Sequence, residues 1–286
     1  VRRHLPQRSS AGHKGTFGTC LVIAGTAAYT GAAFLTGKAA YRAGCGLVNI
    51  ATLRQVQQSL SGHLIEAVWT ILPDLNGGYD PEGANGLSES LTGADALILG
   101  PGWGICDQNK KFMENLLVKI PKELPTVFDA DALKLLSRLD HWWESLPQQA
   151  ILTPHPGEMA ILTGLPISEI QSNRWAIAQQ FAKKWGLNLI LKGAVSVVAI
   201  KDSPVFINPV SDSSLATAGS GDVLCGVIGG LLAQGLTPEQ AAILGTWLQG
   251  QAGIFARKSA GTDRSVTAID ILNEVGKAFV KTKEAV

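Results

Sequence analysis

The chain has 286 residues and a formal net charge of +1, with 46% hydrophobic and only 16% charged residues. This balance is typical of a compact globular protein with a sizeable core, and it excludes a disordered or fibrous chain. The 24 lysines and arginines are scattered, so no binding of nucleic acid is expected. No apolar run is long enough to span a membrane and no secretory signal is recognisable, so no membrane partner is expected.

The cysteines and the first residue bear on compartment and chain organisation. Cys20, Cys45, Cys106 and Cys225 have no CxxC spacing, which predicts reduced thiols and a cytoplasmic protein. The chain begins with Val1 rather than Met, so we expect a segment processed or cut from a longer chain, with an N-terminal partner domain missing. No linker, tandem repeat or low-complexity segment interrupts the sequence, which predicts one domain over residues 1–286.

Strands and helices are predicted to alternate along the first two thirds of the chain. Continuous apolar runs predict strands at residues 20–24, 47–51, 94–99, 126–128, 151–152 and 189–191. Helices are predicted at residues 30–43, 108–120, 158–163 and 173–185. Buried strands that alternate with helices are typical of a parallel sheet covered on both faces. The predicted fold class is therefore α/β, with a mostly parallel central sheet.

The last third of the chain follows a different pattern. Two further strands are predicted at residues 196–200 and 205–207. A charged turn at Lys201 and Asp202 would join them into a hairpin. Thr237 and Pro238 predict the start of a long helix, with threonine as the N-cap and proline at the first helical position. A closing helix is predicted at residues 268–278.

The stretch from Leu215 to Gly235 combines glycines, one carboxylate and a helical apolar pattern. Gly219, Ser220 and Gly221 predict an anion hole, because an oxyanion can approach backbone N–H groups at a helix start, where the macrodipole favours negative charge. Asp222 would lie at the mouth of that hole. A metal ion, a hydroxyl to deprotonate or the helix N–H groups would account for a carboxylate there. A capped helix after a glycine-rich loop is the plainer alternative.

Three further glycines lie within the helix that this stretch predicts. Gly226, Gly229 and Gly230 each cost about 1 kcal/mol relative to alanine in a helix interior. Their presence predicts that this helix packs very closely against a neighbouring element.

Two loops that follow predicted strands carry glycines and carboxylates, and ligands of open α/β sheets bind at the carboxyl ends of the strands. Residues 100–104 read GPGWG, which lets the backbone approach a ligand or simply forms a tight turn. The strand at residues 126–128 is followed by Asp129 and Asp131. These carboxylates could hold a cation or orient a sugar, unless Asp131 only caps the next helix.

Two further loops carry a histidine and a lysine. His155 lies between Pro154 and Pro156, whose rings fix the backbone and suit presentation of the imidazole to a ligand, although a structural role is an alternative. Glu158 follows His155 in the same loop. Lys192 could neutralise phosphate charge, although an isolated lysine is usually a solvated surface residue.

Several familiar motifs do not fit. The segment from Gly31 to Lys38 has five residues between its glycines and is followed by Ala39, so it is not a Walker A loop. No GxGxxG with a ribose-binding acid follows the first strand, and neither a serine nucleophile elbow nor zinc-ligand spacing occurs. The phosphate site is therefore expected late in the chain, at residues 219–222.

Together, these motifs resemble those of the bacterial ADP/ATP-dependent NAD(P)H-hydrate dehydratase family. HKGTFG, GPGWG, DADAL, TPHPGE and GSGD occur in the family's order, and the resemblance extends from His13 to the TAIDIL stretch that begins at Thr267. GSGD alone is shared with many small-molecule kinases, whereas the combination is much more specific. The resemblance implies a ribokinase-like fold, a single-domain three-layer sandwich with a mostly parallel central sheet flanked by helices.

The resemblance also implies a reaction, the repair of the hydrated cofactors NADHX and NADPHX. ADP or ATP would phosphorylate the hydroxyl of the nicotinamide ring, and loss of the phosphate would restore the double bond. Phosphate is a far better leaving group than hydroxide at neutral pH, so a phosphoryl donor makes chemical sense. Mg²⁺ is implied as the ion that bridges the phosphates, with Asp129 and Glu158 only as candidate ligands.

Residue roles are carried over from the same resemblance. Asp222 would be the catalytic base, beside an anion hole formed by Gly219, Ser220 and Gly221. The nucleotide would contact Lys192, Gly193, Ala194, Val195, Ser196 and Gly221. The hydrated cofactor would contact Ala32, Gly102, Gly104, His155 and Asp222. Supporting candidates are Asp129, Asp131, Glu158 and Asn208.

The chain departs from the family's pattern at two places. Val210, Ser211 and Asp212 stand where the family usually has TGN, and Gln249 and Gly250 stand where it has a histidine-glycine pair. Both are expected on the nucleotide side of the site, so they bear on donor choice and turnover. The family tends toward tetramers and often carries an upstream epimerase domain, which implies a homo-oligomer and a fused or separate NAD(P)HX epimerase.

The same residues are also compatible with two other functions. A ribokinase-like kinase of a small alcohol or vitamin precursor would use the same hole and base, and it would release a stable phosphorylated product. A non-catalytic nucleotide-binding domain would keep the fold and lose turnover through the two departures. The presence of Asp222 argues against the second alternative.

Overall fold

The central element is a nine-stranded sheet in a computed structural model that describes residues 1–201 and 203–284. The strands are β1 (Thr19–Ile23), β2 (Leu47–Leu53), β3 (Val68–Leu72), β4 (Asp74–Leu75), β5 (Gly78–Tyr79), β6 (Ala96–Leu99), β7 (Thr126–Phe128), β8 (Ala150–Leu152), β9 (Asn188–Leu191), β10 (Val197–Ala199) and β11 (Phe206–Ile207). Their order across the sheet is β11-β10-β9-β8-β7-β6-β1-β2-β3, and β4 and β5 form a separate ribbon. The pairs from β9 to β3 are parallel, whereas β10 and β11 are antiparallel additions at one edge.

Helices cover the sheet in two groups. In chain order they are α1 (Thr30–Arg42), α2 (Arg54–Leu60), α3 (Ser88–Thr92), α4 (Asp107–Leu117), α5 (Asp131–Leu136), α6 (Pro156–Thr163), α7 (Ile167–Ser172), α8 (Arg174–Trp185), α9 (Ser220–Ala233), α10 (Pro238–Ala260) and α11 (Ala268–Glu284). α1, α9, α10 and α11 pack together in one layer, and α4 to α8 contact one another in succession in the other. No helix in the described ranges has the length and hydropathy needed to cross a membrane.

The predicted α/β architecture is confirmed, and each predicted strand and helix has a counterpart in the described residues. The predicted hairpin is also confirmed, as β10 and β11; of its charged turn, Lys201 is described and Asp202 lies outside the described residues. The prediction omits β3, although its sequence VWTIL is apolar. It also omits the ribbon and the short helices α2, α3, α5 and α7, because elements this short show no clear hydrophobic periodicity.

The close packing predicted for α9 is confirmed. A Cβ atom added to Gly226 would lie 2.2 Å from the carbonyl oxygen of Thr36, and one added to Gly230 would lie 2.5 Å from that of Ala40. α1 therefore runs against the backbone of α9 on this side. On the sheet side, a Cβ atom on Gly229 would lie 2.4 Å from the Cδ1 atom of Ile98. Larger side chains would push α9 away from both neighbours, so the glycines fix the distance of α9 from α1 and from the sheet.

Candidate functional site

A cleft of about 680 Å³ lies where the loops after β7, β8 and β9 meet the start of α9. Ten of the predicted site residues line it: Asp129, His155, Lys192, Gly193, Ala194, Ser196, Gly219, Ser220, Gly221 and Asp222. The predicted anion hole, the predicted base and most of the predicted nucleotide loop therefore share one cavity. Ser211, Asp212 and Gln249, which belong to the two departures from the family pattern, also line this cleft.

The first turn of α9 forms one wall of the cleft from backbone. Gly219 precedes the helix with φ +86°, and a Cβ atom there would lie 2.5 Å from the Cδ1 atom of Leu35. Only glycine fits this conformation and this space. The Ser220 hydroxyl donates to the carbonyl of Leu215 over 2.8 Å, so it does not cap the helix. The N–H groups of the first helical turn, including those of Gly221 and Asp222, have no acceptor within the helix and are suited to an anion.

The opposite wall is a group of buried charges. Lys192 Nζ lies 2.6 Å from Asp129 Oδ1 and 3.8 Å from Glu158 Oε2. Cys225 donates its thiol proton to Asp129 Oδ2 over 3.1 Å. Burial alone would lower the pKa of Lys192, but the carboxylates of Asp129 and Glu158 raise it above its ordinary value. The ammonium is therefore held charged beside the cleft, and the lysine is not the solvated surface residue of the alternative interpretation.

The two acids nearest Lys192 have pKa values that move in opposite directions. Burial would raise the pKa of Asp129, but the charge and hydrogen bond of Lys192 hold it below its ordinary value. Burial raises the pKa of Glu158 to about 7, and the more distant Lys192 offsets this only in part. Asp129 is thus an ionised partner of the lysine, whereas Glu158 can gain or lose a proton near neutral pH.

Asp222 lies between the two walls. Burial, and then the negative charge of Asp129, raise its pKa to about 7. The bare Cα of Gly221 faces the opposite wall, because an added Cβ atom would lie 3.4 Å from Lys192 Nζ and 3.6 Å from Asp129 Oδ2. The cleft thus places a carboxylate that can accept a proton beside open N–H groups and a fixed positive charge. This arrangement suits proton removal from an alcohol that attacks a phosphoryl group.

His155 lines the cleft and also begins α6. Its Nδ1 atom accepts hydrogen bonds from the N–H groups of Gly157 (3.0 Å) and Glu158 (3.2 Å). Glu158 completes a capping box by accepting the His155 N–H over 2.9 Å. Burial, with Lys192 as a second cause, lowers the pKa of His155. Neutral imidazole with Nδ1 as an acceptor carries its proton on Nε2, which lies 3.4 Å from Glu158 Oε1.

Three of the predicted cofactor-binding residues form a second group, outside the lining of the cleft. A Cβ atom on Gly102, where φ is +67°, would lie 2.8 Å from both the Ala32 Cβ atom and the Tyr29 carbonyl oxygen. Gly104 donates its N–H to Asp131 Oδ2 over 2.8 Å. The loop after β6 is therefore held against the start of α1 on one side and against Asp131 on the other. The structure brings Ala32 and Gly102 together, and Gly104 lies two residues further along the same loop.

The two aspartates that follow β7 point to different partners. Asp129 contacts Lys192, whereas Asp131 accepts from Gly104 and forms an ion pair with Lys134 over 3.0 Å. Ala130 between them has φ +52° and ψ −120°, a strained conformation for a residue with a side chain. This turn separates the two carboxylates. Asp131 begins α5 without a side-chain cap, so the simple capping role is not observed.

Metal ligation was left undetermined by the sequence. Across residues 1–201 and 203–284, no group of three or more His, Cys, Asp or Glu side chains has the arrangement of a metal site. The two candidate ligands, Asp129 and Glu158, instead lie beside Lys192.

Four further predicted residues, Asn208, Val195, Asp131 and Glu158, lie outside the lining of the cleft. Asn208 is buried, donates to the carbonyl of Thr246 over 2.9 Å and accepts the N–H of Val210. It therefore ties the chain after β11 to α10. The carbonyl of Val195 accepts a hydrogen bond from Arg174 over 3.0 Å.

Arg174 was not recognised as a site residue, because its contacts depend on where α8 begins relative to β9. Cys225 was also missed as a site residue. It had a recognisable signal, since residues three apart on a helix share a face and Asp222 precedes it by three.

The departures from the family pattern make defined contacts at the cleft. Gln249 donates to the carbonyl of Ser220 over 3.0 Å, which fixes the backbone of the anion hole from α10. Asp212 accepts from Arg257 Nε over 2.9 Å and from the N–H of Ser214 over 3.1 Å. These substitutions are accommodated by hydrogen bonds in the described structure, and neither obstructs Asp222.

Comparison with known proteins adds independent findings. A family model described as NAD(P)H-hydrate dehydratase matches residues 20–276. The bifunctional NAD(P)H-hydrate repair enzyme Nnr of Moorella thermoacetica is 40% identical over 273 residues, which are 95% of this chain and 51% of that protein. This chain thus spans about half the length of the bifunctional relatives that it matches.

A shorter relative and a solved structure match nearly end to end. The ADP-dependent (S)-NAD(P)H-hydrate dehydratase of Neisseria meningitidis is 35% identical over 267 residues, covering 92% of this chain and 86% of that protein. The ADP/ATP-dependent NAD(P)H-hydrate dehydratase of Bacillus subtilis, co-crystallised with ATP and Mg²⁺, is 28% identical and has a TM-score of 0.82, with 98% of this chain and 95% of that chain covered. The ribokinase-like fold implied by the motifs is confirmed, and the chain belongs to the NAD(P)H-hydrate dehydratase family.

Proposed function

We propose that this domain converts NADHX and NADPHX back to NADH and NADPH in a reaction that consumes ADP or ATP. The observation that carries the proposal is Asp222, a partly buried carboxyl at an open helix start, whose pKa is raised to about 7. A carboxyl whose pKa lies near the working pH is ionised in a large fraction of the molecules and still binds a proton well enough to act as a base. The relatives named as dehydratases support the same chemistry.

The proposed reaction has two steps. Asp222 accepts the proton of the ring hydroxyl while the hydroxyl oxygen attacks the terminal phosphoryl group, and the bond from that phosphorus to the nucleotide breaks. The open N–H of Gly221, in the anion hole at residues 219–221, and the ammonium of Lys192 stabilise the charge on the phosphoryl oxygens. The ring C–O bond then breaks, phosphate leaves with the electron pair, and the neighbouring carbon loses a proton to form the double bond.

The walls and the neighbouring loop suggest where the two substrates lie. Residues 192–196 and Gly221 would contact the nucleotide, since Lys192 and most of this loop line the cleft. His155 and Asp222 would contact the hydrated ring from within the cleft. Ala32, Gly102 and Gly104 would contact the cofactor from the adjoining loop, where glycine leaves the backbone uncovered.

Mg²⁺ is part of the proposal, with the phosphates as the main ligands, because the described residues hold no group of three or more His, Cys, Asp or Glu side chains arranged as a metal site. Asp129, Glu158 and Asp222 supply carboxylate oxygens, the ligand type that Mg²⁺ prefers. Asp129 and Glu158 are the residues that would hold the ion together with the phosphates. When bound, the ion would neutralise phosphate charge.

We also propose the cellular setting that the resemblance implies. The protein would act in the cytoplasm as a homo-oligomer, a tetramer, together with an NAD(P)HX epimerase that is fused or separate. Free thiols at all four cysteines suit a reducing compartment. Light scattering after size-exclusion chromatography would measure the oligomeric state.

The direct test is to mix the protein with hydrated NADH, Mg²⁺ and either ADP or ATP, and to follow the absorbance of reduced nicotinamide. We expect recovery that depends on the nucleotide, and the faster donor identifies the preference. Hydrated NADPH, used in parallel, gives the preference between the two cofactors. Nucleotide binding without recovery would contradict the proposal and favour a kinase of another alcohol.

A further inference from the structure

Arg174, the first residue of α8, binds the inner side of the loop between β9 and β10. Its Nη2 atom lies within hydrogen-bonding distance of three carbonyl oxygens, those of Leu191 (3.0 Å), Lys192 (3.2 Å) and Val195 (3.0 Å), so one of its two N–H groups is shared between two acceptors. Nη1 donates to Gln171 Oε1 over 2.8 Å. Gln171 in α7 thus orients the guanidinium, which binds carbonyl oxygens at both ends of the loop. Arg174 does not itself line the cleft.

Gly193 allows the guanidinium to approach this closely. A Cβ atom at Gly193 would lie 2.6 Å from Arg174 Nη2 and 2.9 Å from its Cζ atom. Any larger residue would therefore push the guanidinium away from the carbonyls that it binds. The glycine at this position is explained by the arginine, whose contact the sequence could not reveal.

The loop's remaining polar groups are left for a ligand. In the described part of the chain, no hydrogen bond is found from the N–H groups of Gly193, Ala194 or Val195 to another part of the protein. The carbonyls of Lys192 and Val195 are bound by Arg174, and that of Ser196 accepts the N–H of Asn208 over 2.9 Å. Successive free N–H groups beside a lysine form a concave site for anions.

We propose that Arg174 is a positioning residue for the phosphoryl donor. By holding three carbonyls of one loop, it keeps the free N–H groups and the Lys192 side chain in the geometry that binds the phosphates. A planar guanidinium holds five N–H donors in a fixed fork, whereas an ammonium carries three donors at the end of a flexible chain. This inference rests on the proposed function only in assigning the nucleotide to this loop.

The test compares Arg174→Lys with two other variants. Arg174→Lys keeps the positive charge and loses the planar guanidinium. Gln171→Ala removes only the hydrogen bond that Nη1 makes. Arg138→Lys is the matched control, at an exposed arginine after α5. Calorimetry with Mg²⁺ measures the dissociation constants for ADP and ATP. We expect an increase of at least about tenfold for Arg174→Lys, about twofold to threefold for Gln171→Ala and none for Arg138→Lys.

Two further measurements separate positioning from general structural damage. In steady-state assays, Arg174→Lys should raise the nucleotide KM, while kcat at saturation and the KM for hydrated NADH stay near the wild-type values. Amide hydrogen exchange without ligand should accelerate at Lys192, whose N–H donates to the carbonyl of Pro154 over 2.8 Å, and remain unchanged in α9. Equal losses for both substrates would overturn the proposal, and so would a nucleotide dissociation constant within twofold of wild type.

The binding comparison does not depend on turnover. If the wild type binds nucleotide but does not repair hydrated NADH, the proposed function fails and the role of Arg174 is still tested by the dissociation constants. Absence of nucleotide binding in the wild type would overturn both. If Arg174→Lys does not fold, Gln171→Ala decides the matter, because unchanged nucleotide affinity in that variant would contradict the role of the supported guanidinium.

Discussion

The two walls of the cleft are built by different means. The anion hole consists of three consecutive residues at a helix start, where the Gly221 N–H has no acceptor within the helix and the Ser220 N–H donates to the carbonyl of Thr217 over 3.3 Å. The opposite wall is assembled from Asp129, Glu158 and Lys192, which follow three different strands. The first wall depends on backbone conformation and space, and it carries no titratable group. The second depends on a balance of charges, so substitution and pH should affect the two walls differently.

Asp222 joins the walls, and its replacement should have the largest effect on turnover. We expect Asp222→Asn to lower kcat about 10²- to 10⁴-fold, because an amide cannot accept the hydroxyl proton. The nucleotide dissociation constant should change little, since the N–H groups and Lys192 remain. Recovery of the nicotinamide absorbance measures the first effect and calorimetry the second. A variant with wild-type kcat would remove Asp222 from the mechanism.

The charged wall should be the more costly one to disrupt for stability. Asp129→Asn would leave the buried Lys192 ammonium with only Glu158 at 3.8 Å. Removing one partner of a buried pair costs about 3–5 kcal/mol in unfolding free energy. Urea unfolding measures the loss. Asp131→Asn is the matched control, since its partner Lys134 is partly exposed and such a pair contributes about 1 kcal/mol or less.

A double variant tests whether the cost of Asp129→Asn comes from the unpaired charge. Combining it with Lys192→Met removes the ammonium as well, so part of the lost stability should return. If the double variant is as unstable as the sum of the two single variants, the charge pair is not the cause.

The difference between the walls also explains which features of the site could be predicted from the sequence. The glycines from 219 to 230 indicated the anion hole and the tight packing of α9, because both are properties of local backbone. The partners of Lys192 lie on separate loops, so the sequence supplied the residue types without their pairing. His155 shows a third case: histidine is not a usual N-cap, so the capping box that it forms with Glu158 was not recognised.

The backbone wall should respond to single methyl groups in two distinct ways. Gly219→Ala forces a side chain into φ +86° and against Leu35, so we expect a loss of about 1–3 kcal/mol in unfolding free energy. Gly221→Ala meets no atom closer than 3.4 Å, so stability should stay within about 1 kcal/mol of wild type. Its methyl group would nevertheless lie between the hole and Lys192, so nucleotide affinity should fall. Equal stability losses for both variants would contradict this distinction.

The smallest expected effect is the pH dependence of turnover. Asp222 acts as a base only when ionised, so with a pKa of about 7 the value of kcat/KM should rise about tenfold between about pH 6 and pH 8. Glu158 has a similarly raised pKa, whereas the pKa of His155 is lowered. Glu158→Gln should therefore keep the rise if Asp222 controls it. A flat profile in that variant would assign the rise to Glu158.

Stability against pH should separate Asp222 from Asp129. The folded pKa of Asp222 is about 7, above its ordinary value of 3.8, so the folded state favours the protonated acid and stability falls as pH rises from about 4 to about 7. Asp129 has a lowered folded pKa, so its stabilising contribution is complete above about pH 4 and is lost only as pH falls through that pKa. Urea unfolding at about pH 5 and pH 8 should therefore show a smaller decline in Asp222→Asn than in wild type. Asp129→Asn should be destabilised at both values, because the ion pair that it removes is intact across that range. Its decline with pH should also be smaller than that of wild type, because the charge of Asp129 helps to raise the pKa values of Asp222 and Glu158.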